Sequence, residues 1–347
     1  MNSARLGPDN FRRRALLLLV MAGMWLPTEA GLAQSQSNAV PELSVVPGSR
    51  VVRAHDPSTI VKCNGEYWGF YTGRGIPSCH SRDLTNWEAG PRVFTNAPDW
   101  VAEAVPENRW MHFWAPDVIQ LDDRYLLYYS VSTFGKNRSA IGLATNPTLD
   151  PQDPRFHWTD EGIVVQSADT NNYNAIDPAV CRDAEGKLWL AFGSYWTGIK
   201  LIQLDPHSGK RLTNSALDSL AFNDSIEAAY IHRHDGFYYL FVNWGRCCVG
   251  TNSTYEIRVG RSKQITGPYL DQGGVGMITG GGTPFLRTSG PFIGPGHAGI
   301  VATADGDWLS CHFYDGTRRG MPTLALFPLH WDTNGWPEIK IKASPSK

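Results

Sequence analysis

Charge of either sign is nearly balanced in this 347-residue chain. Its 31 Lys and Arg against 33 Asp and Glu leave a net charge of −2. No field of that size steers a protein to nucleic acid or to an anionic membrane surface. Cysteine is sparse at six residues, which excludes a disulfide-built scaffold. Cys63 and Cys79 are a candidate pair. Cys247 and Cys248 are adjacent, with Cα atoms about 3.8 Å apart across a trans peptide, below the usual disulfide span. They are either a strained vicinal bridge or two separate thiols. No stretch shows a sustained helical period. Long apolar runs are missing but for Ala15 to Leu26, which follows Arg12-Arg13-Arg14 and precedes Gly31-Leu32-Ala33. That is the layout of a signal peptide over residues 1–33, too short to span a bilayer. Residues 34–347 are then expected to be a secreted or periplasmic domain with no membrane attachment.

What the chain has is a repeat. Five copies of one pattern begin at His55-Asp56-Pro57, Trp114-Ala115-Pro116, Ile176-Asp177-Pro178, Ile226-Glu227-Ala228 and Gly296-His297-Ala298, at intervals of 59, 62, 50 and 70 residues. Each is followed by a polar turn: Asn64-Gly65, Asp122-Asp123, Glu185-Gly186, Asp235-Gly236 or Asp305-Gly306. An aromatic strand comes next, as in Tyr67–Tyr71 or Phe237–Phe241. Strand, tight turn, strand is a hairpin signature. Each interval has room for about four strands. The expected fold is all-β, a five-bladed β-propeller forming one domain.

Equivalent positions of a propeller lie around one axis, so Asp56, Asp177, Glu227 and His297 are expected to converge. Three carboxyls and an imidazole are costly to desolvate together, which favours a site over scaffolding. Paired carboxyls in opposed environments hydrolyse acetals: one protonates the leaving oxygen, the other activates water or attacks. Glu227 has the apolar neighbours Ile226, Ala228 and Ala229. These raise a carboxyl pKa and make Glu227 the better general acid. Either Asp56 or Asp177 would serve as base. The chain is rich in aromatics, with 13 Trp, 13 Tyr and 14 Phe, and a surplus lining a cleft would suit sugar rings. Trp114 stands at the start of the second copy. Phe134 lies in the loop Ser132–Asn137, and Ser194 in Gly193-Ser194-Tyr195-Trp196, rich in groups that can face a polyol.

On these motifs, with Asn174-Ala175-Ile176-Asp177-Pro178, Ser253-Thr254-Tyr255, Val259-Gly260-Arg261-Ser262 and Trp331 to Pro337, nearly all of residues 34–347 resembles the family 43 glycoside hydrolases. The likeness is greatest to the endo-1,5-α-L-arabinanases. The resemblance implies an inverting, arabinan-cleaving propeller, with Asp56 as general base, Glu227 as general acid and Asp177 tuning and orienting the acid. Trp114, Phe134, Asn174 and Ser194 would meet the sugar. Calcium, or another ion, held mostly by water, would sit in the central channel beside His297. No organic cofactor is implied, and a monomer is expected. An exo-acting arabinanase, an α-L-arabinofuranosidase and a β-xylosidase are alternatives within the family. A propeller that binds polysaccharide without cutting it is the alternative of another class, and three converging acids argue against it.

Overall fold

The structure, a computed structural model, describes residues 52–339. The expected signal peptide and the leader to residue 49 lie outside the described residues. Strands of residues 61–339 form five antiparallel sheets, each a meander in chain order. They are the blades of a five-bladed β-propeller. The innermost strands are Val61–Cys63, His112–Leu121, Ala179–Arg182, Glu227–His234 and Phe292–Thr303. Each pairs with the aromatic strand that follows: Glu66–Phe70, Arg124–Val131, Leu188–Phe192, Phe237–Trp244 and Gly306–Asp315. Asn64-Gly65 and Asp235-Gly236 have positive φ at both residues, the backbone of a type I′ turn whose twist matches paired strands.

One short element was not anticipated, and one expectation is corrected. The loop before the second blade contains a five-residue helix, Trp100–Ala104, too short for a period to register. Cys63 and Cys79 are not bonded; all six cysteines are free thiols. The sulfur of Cys63 instead lies 3.5 Å from the Thr148 hydroxyl and accepts the Leu149 N–H at 3.3 Å, so it stitches blade one to blade two.

Apolar side chains fill the gaps between blades. Buried Tyr230, Phe241, Val259, Phe292 and Phe313 belong to one cluster spanning blades four and five, and Phe70, Phe113 and Tyr129 to another between blades one and two. Burying each such ring stabilises the fold by roughly 1.5–3 kcal/mol. The start of the described chain also closes the circle: the Val52 carbonyl accepts the Leu324 N–H of blade five at 3.1 Å.

A second, polar circle runs inside the apolar one. At the head of each inner strand one residue has positive φ: Asp56 (49°), Ala115 (42°), Asp177 (57°), Ala228 (54°) and His297 (61°). Such conformations cost about 1–3 kcal/mol each and persist only where the surroundings enforce them. Here the enforcing contact is a side-chain acceptor from the preceding blade. Thr72 Oγ1 accepts Ala115 N–H (2.8 Å), Ser130 Oγ accepts Asp177 N–H (2.9 Å) and Asn243 Oδ1 accepts His297 N–H (2.9 Å). His312 Nδ1 closes the ring on Asp56 N–H at 3.1 Å. In blade four the acceptor for Ala228 N–H is Asp177 Oδ2 itself, at 3.1 Å.

The ring also corrects the repeat register. The strained residue of blade four is Ala228, so Glu227 stands one residue ahead of the position held by Asp56, Asp177 and His297. The two alanines after Glu227 make the copies look aligned by their Pro-or-Ala third residue, and only the backbone distinguishes them.

Asp117 pins three blades at once. It is buried, accepting Thr59 N–H (2.9 Å) on Oδ1 and Val180 N–H (2.8 Å) on Oδ2. Burial pushes its pKa up to about 6 against those hydrogen bonds. Asp117→Asn turns one acceptor into an NH₂ facing an N–H donor. The expected result in a denaturant titration is a loss of about 1–3 kcal/mol, the cost of stranding a buried polar group. An unchanged midpoint would show that the bridge is replaceable.

Candidate active site

The carboxyls of Asp56, Asp177 and Glu227 meet where the polar ring lies. Asp56 is gripped from three sides. His55 Nδ1 lies 2.7 Å from Oδ2, Thr72 Oγ1 donates to the same oxygen at 2.7 Å, and His297 Nδ1 is 3.5 Å from Oδ1. His55 Nε2 in turn sits 2.7 Å from the Tyr314 hydroxyl. Burial pulls the His55 pKa down, but the adjacent Asp56 charge and its hydrogen bond outweigh this and raise it to about 10. Burial likewise opposes the Asp56 charge, and the charge and hydrogen bond of His55 overcome it and hold the carboxyl well below its usual range. Asp56 is therefore an anion. His312 Nδ1 also lies 3.6 Å from Asp56 Oδ1. This is no ion pair, because that nitrogen already accepts the Asp56 N–H and burial keeps the ring neutral.

Glu227 has a different environment. It is buried. Ser194 Oγ donates to Oε2 at 2.8 Å, and the Tyr255 hydroxyl bonds Oε1. Ser194 follows the second strand of blade three, the place from which Thr72, Ser130, Asn243 and His312 each hold the next blade. Because Asp177 has taken the Ala228 N–H, Ser194 is released to serve Glu227. Burial raises the Glu227 pKa, and the two hydroxyl hydrogen bonds only moderate that. Asp177 is raised well above its usual range, by burial first and then by the charge of Glu227. Two carboxyls so disposed do not both ionise: the pair holds one proton, beside an Asp56 that holds none. Ser and Tyr hydroxyls donate or accept as needed, so Glu227 is hydrogen-bonded in either protonation state.

Other sequence-derived positions are placed as follows. Phe134 is 77% exposed and Trp114 tilts against it, ring centroids 4.9 Å apart. Together they make an aromatic shelf on blade two. Tyr195 and Trp196, just after Ser194, are also exposed, as is Trp110. Asn174 is buried with its carbonyl accepting Ser139 Oγ at 2.7 Å, which leaves its amide N–H groups as donors. His297 is buried and kept neutral by that burial. Among the described residues it belongs to no group of three side chains able to share an ion. Its neighbour Asp56 offers a carboxylate oxygen 3.5 Å from Nδ1. Calcium prefers six to eight oxygens, so these residues fit an ion that is held largely by water.

Sequence patterning quotes His55 and Tyr255 only as parts of motifs and gives no role to Thr72, His312 or Tyr314. His55, Thr72 and Tyr255 bind the reacting carboxyls directly. Thr72, Ser194 and His312 share a signal that was present in the sequence: each ends or follows the aromatic strand of its copy, where a hydrogen-bonding side chain recurs. Cys247 and Cys248 lie beside this network. Cys248 N–H donates to the Tyr314 hydroxyl at 2.6 Å, and its sulfur is 3.8 Å from His55 Nε2.

An unprotonated carboxylate and a proton-sharing carboxyl pair at one end of a propeller, near exposed aromatic rings, define a glycoside hydrolase. The family model described as Glycosyl hydrolases family 43 matches residues 50–337, and the chain belongs to that family. It is 40% identical to the extracellular exo-α-(1→5)-L-arabinofuranosidase of Cellvibrio japonicus, covering 86% of this chain and 90% of that one. It is also 40% identical to an extracellular endo-α-(1→5)-L-arabinanase of Bacillus subtilis, covering 87% and 92%. A solved Cellvibrio cellulosa α-L-arabinanase complexed with arabinohexaose superposes with a TM-score of 0.81 at 38% identity, covering 85% and 97%. No helix among the described residues is long and apolar enough to cross a membrane.

Proposed function

We propose that this protein is a secreted arabinanase that hydrolyses α-1,5-L-arabinofuranosidic bonds of arabinan with inversion, acting within the polymer. The observation that carries it is the opposed protonation of Asp56 and the Asp177–Glu227 pair, on a chain whose relatives are named for this bond. Asp56 is the general base. Its carboxylate is too well stabilised by His55 to be strongly basic. It orients a water and takes the proton only as that water's oxygen bonds to the anomeric carbon. Glu227 is the general acid and gives its proton to the departing O5 of the next arabinose, Ser194 and Tyr255 fixing its carboxyl plane. Asp177 is a positioning residue. It shares one proton with Glu227, so the pair gives that proton up only at raised pH, and its Oδ2 holds the Ala228 backbone next door. Trp114 and Phe134 stack on sugar rings, and the Asn174 amide donates to sugar hydroxyls. An ion held mostly by water beside His297, calcium by chemistry, would add positive charge near Asp56.

The test is a digest of linear 1,5-arabinan followed by proton NMR and by sizing of products. The first new reducing ends are expected as the β-anomer, with polymer length falling early and mixed oligomers appearing. α-Anomeric products would overturn inversion, and no products would overturn the assignment. A single short product from a polymer that stays long would establish exo action. The Cellvibrio exo-enzyme is as identical to this chain as the Bacillus endo-enzyme, so identity supports both readings equally.

The charge of Asp177 has a measurable consequence. In Asp177→Asn the neighbouring negative charge is gone, so Glu227 loses its proton at lower pH. Activity depends on that proton and is lost as pH rises, so the alkaline limb of the kcat/KM profile is expected to move to lower pH, with kcat reduced. A limb that stays in place would remove Asp177 from the tuning role.

A further inference from the structure

Blade four carries a histidine pair that the hydrolytic site does not use. His232 and His234 lie at the end of the inner strand Glu227–His234. They are five and seven residues from Glu227, roughly 17 and 23 Å at the strand rise, so they are remote from the reacting carboxyls. Alternation puts both imidazoles on one face and sends the exposed Arg233 to the other. Asp307, near the start of the strand Gly306–Asp315 in blade five, faces them. One ligand atom from each of the three side chains lies within 4.8 Å of the others.

The trio is supported from behind. Trp331, the last residue of the strand Met321–Trp331, lies flat against His234, centroids 3.7 Å apart at 4°. It also lies nearly parallel to His232, 5.9 Å away at 16°. The same indole donates its Nε1–H to Asp307 Oδ2 at 3.3 Å, which fixes the carboxylate and leaves Oδ1 as the free acceptor. Among the described residues neither imidazole makes a side-chain hydrogen bond. All three side chains are half-buried, open enough for an ion to enter. Ring planes and a carboxylate set by an outer residue are what tuned metal sites have.

We propose that His232, His234 and Asp307 form a structural binding site for a divalent transition metal, zinc by its chemistry, clamping blade four to blade five. Two imidazoles and one carboxylate oxygen suit zinc or nickel rather than calcium. Bonds of about 2.0–2.1 Å to a tetrahedral ion set ligand atoms about 3.4 Å apart. From separations within 4.8 Å, the trio closes by no more than about 1.4 Å on loading, with water completing the shell. Because the ion would bridge two blades, loading stabilises the folded form by mass action.

The experiment is calorimetric titration of the untagged protein, freed of metal, with zinc chloride alone, beside His234→Ala and His232→Gln. Melting is followed with and without zinc, and arabinan cleavage is measured in metal-free buffer. The expected result is stoichiometric binding to the parent protein, with affinity at least tenfold weaker in each variant. Zinc raises the melting temperature of the parent only, and metal-free turnover is the same in all three. Equal zinc affinity in the parent and both variants would overturn the proposal by placing the ion elsewhere, such as the His55, Asp56 and His312 cluster of the active site. No binding to the parent would overturn it too.

Discussion

Glu227→Gln lowers kcat on linear arabinan by about 10²–10⁴-fold, the usual share of a general acid, while arabino-oligosaccharides still bind. The amide keeps the shape of the carboxyl and its contacts with Ser194 and Tyr255, so the loss is chemical and not structural. A second substrate isolates the role. An arabino-oligosaccharide ending in a 4-nitrophenyl group departs without needing a proton, so the deficit should shrink greatly on it. Stopped assays of both substrates, with binding measured calorimetrically, give the comparison. An equal deficit on both would mean that Glu227 does something other than protonate the leaving oxygen. A chain with no turnover to lose would be a binding propeller.

Asp56→Asn is expected to be at least as damaging, and in a contrasting way. The amide still accepts from Thr72 but no longer takes a proton or balances His55. Loss of the base is expected to cost about 10²–10⁴-fold on both substrates, because water must be activated whatever the leaving group. With both variants measured, the pattern assigns the two roles: rescue by a good leaving group for Glu227, none for Asp56. If Asp56→Asn were rescued and Glu227→Gln were not, the roles would be exchanged. Melting curves check that the variants are folded, since Asp56 holds a strained backbone at 49°.

The repeat period, the hairpin turns and the aromatic strands were all legible in the chain, because radial symmetry writes the same local pattern five times. The convergence of Asp56, Asp177 and His297 followed from that symmetry. The place of Glu227 did not, since a one-residue offset between copies is a matter of φ at Ala228, and Ala tells nothing of its own φ. Side-chain partners from neighbouring blades were legible only as a recurring hydrogen-bonding residue after each aromatic strand, and which backbone N–H each one meets was not. Thr72 and Ala115, or His312 and Asp56, are joined by geometry across a gap that no spacing rule encodes. The helix Trp100–Ala104 escaped because five residues hold little more than one turn. The exposure of Phe134 is not encoded in the composition of its loop, and the structure supplies it.

The polar ring has a consequence for how the protein is made. Asp56 is among the first of these residues to leave the ribosome, and its backbone acceptor, His312, is among the last. His297, which faces the same carboxylate, emerges almost as late. A nascent chain that has completed four blades already carries all three acids, yet the base has neither its anchor nor its axial imidazole. Hydrolytic competence therefore arises only when synthesis is nearly finished. A chain cut short in the fifth blade should accumulate as a folded remnant without turnover, or not fold at all.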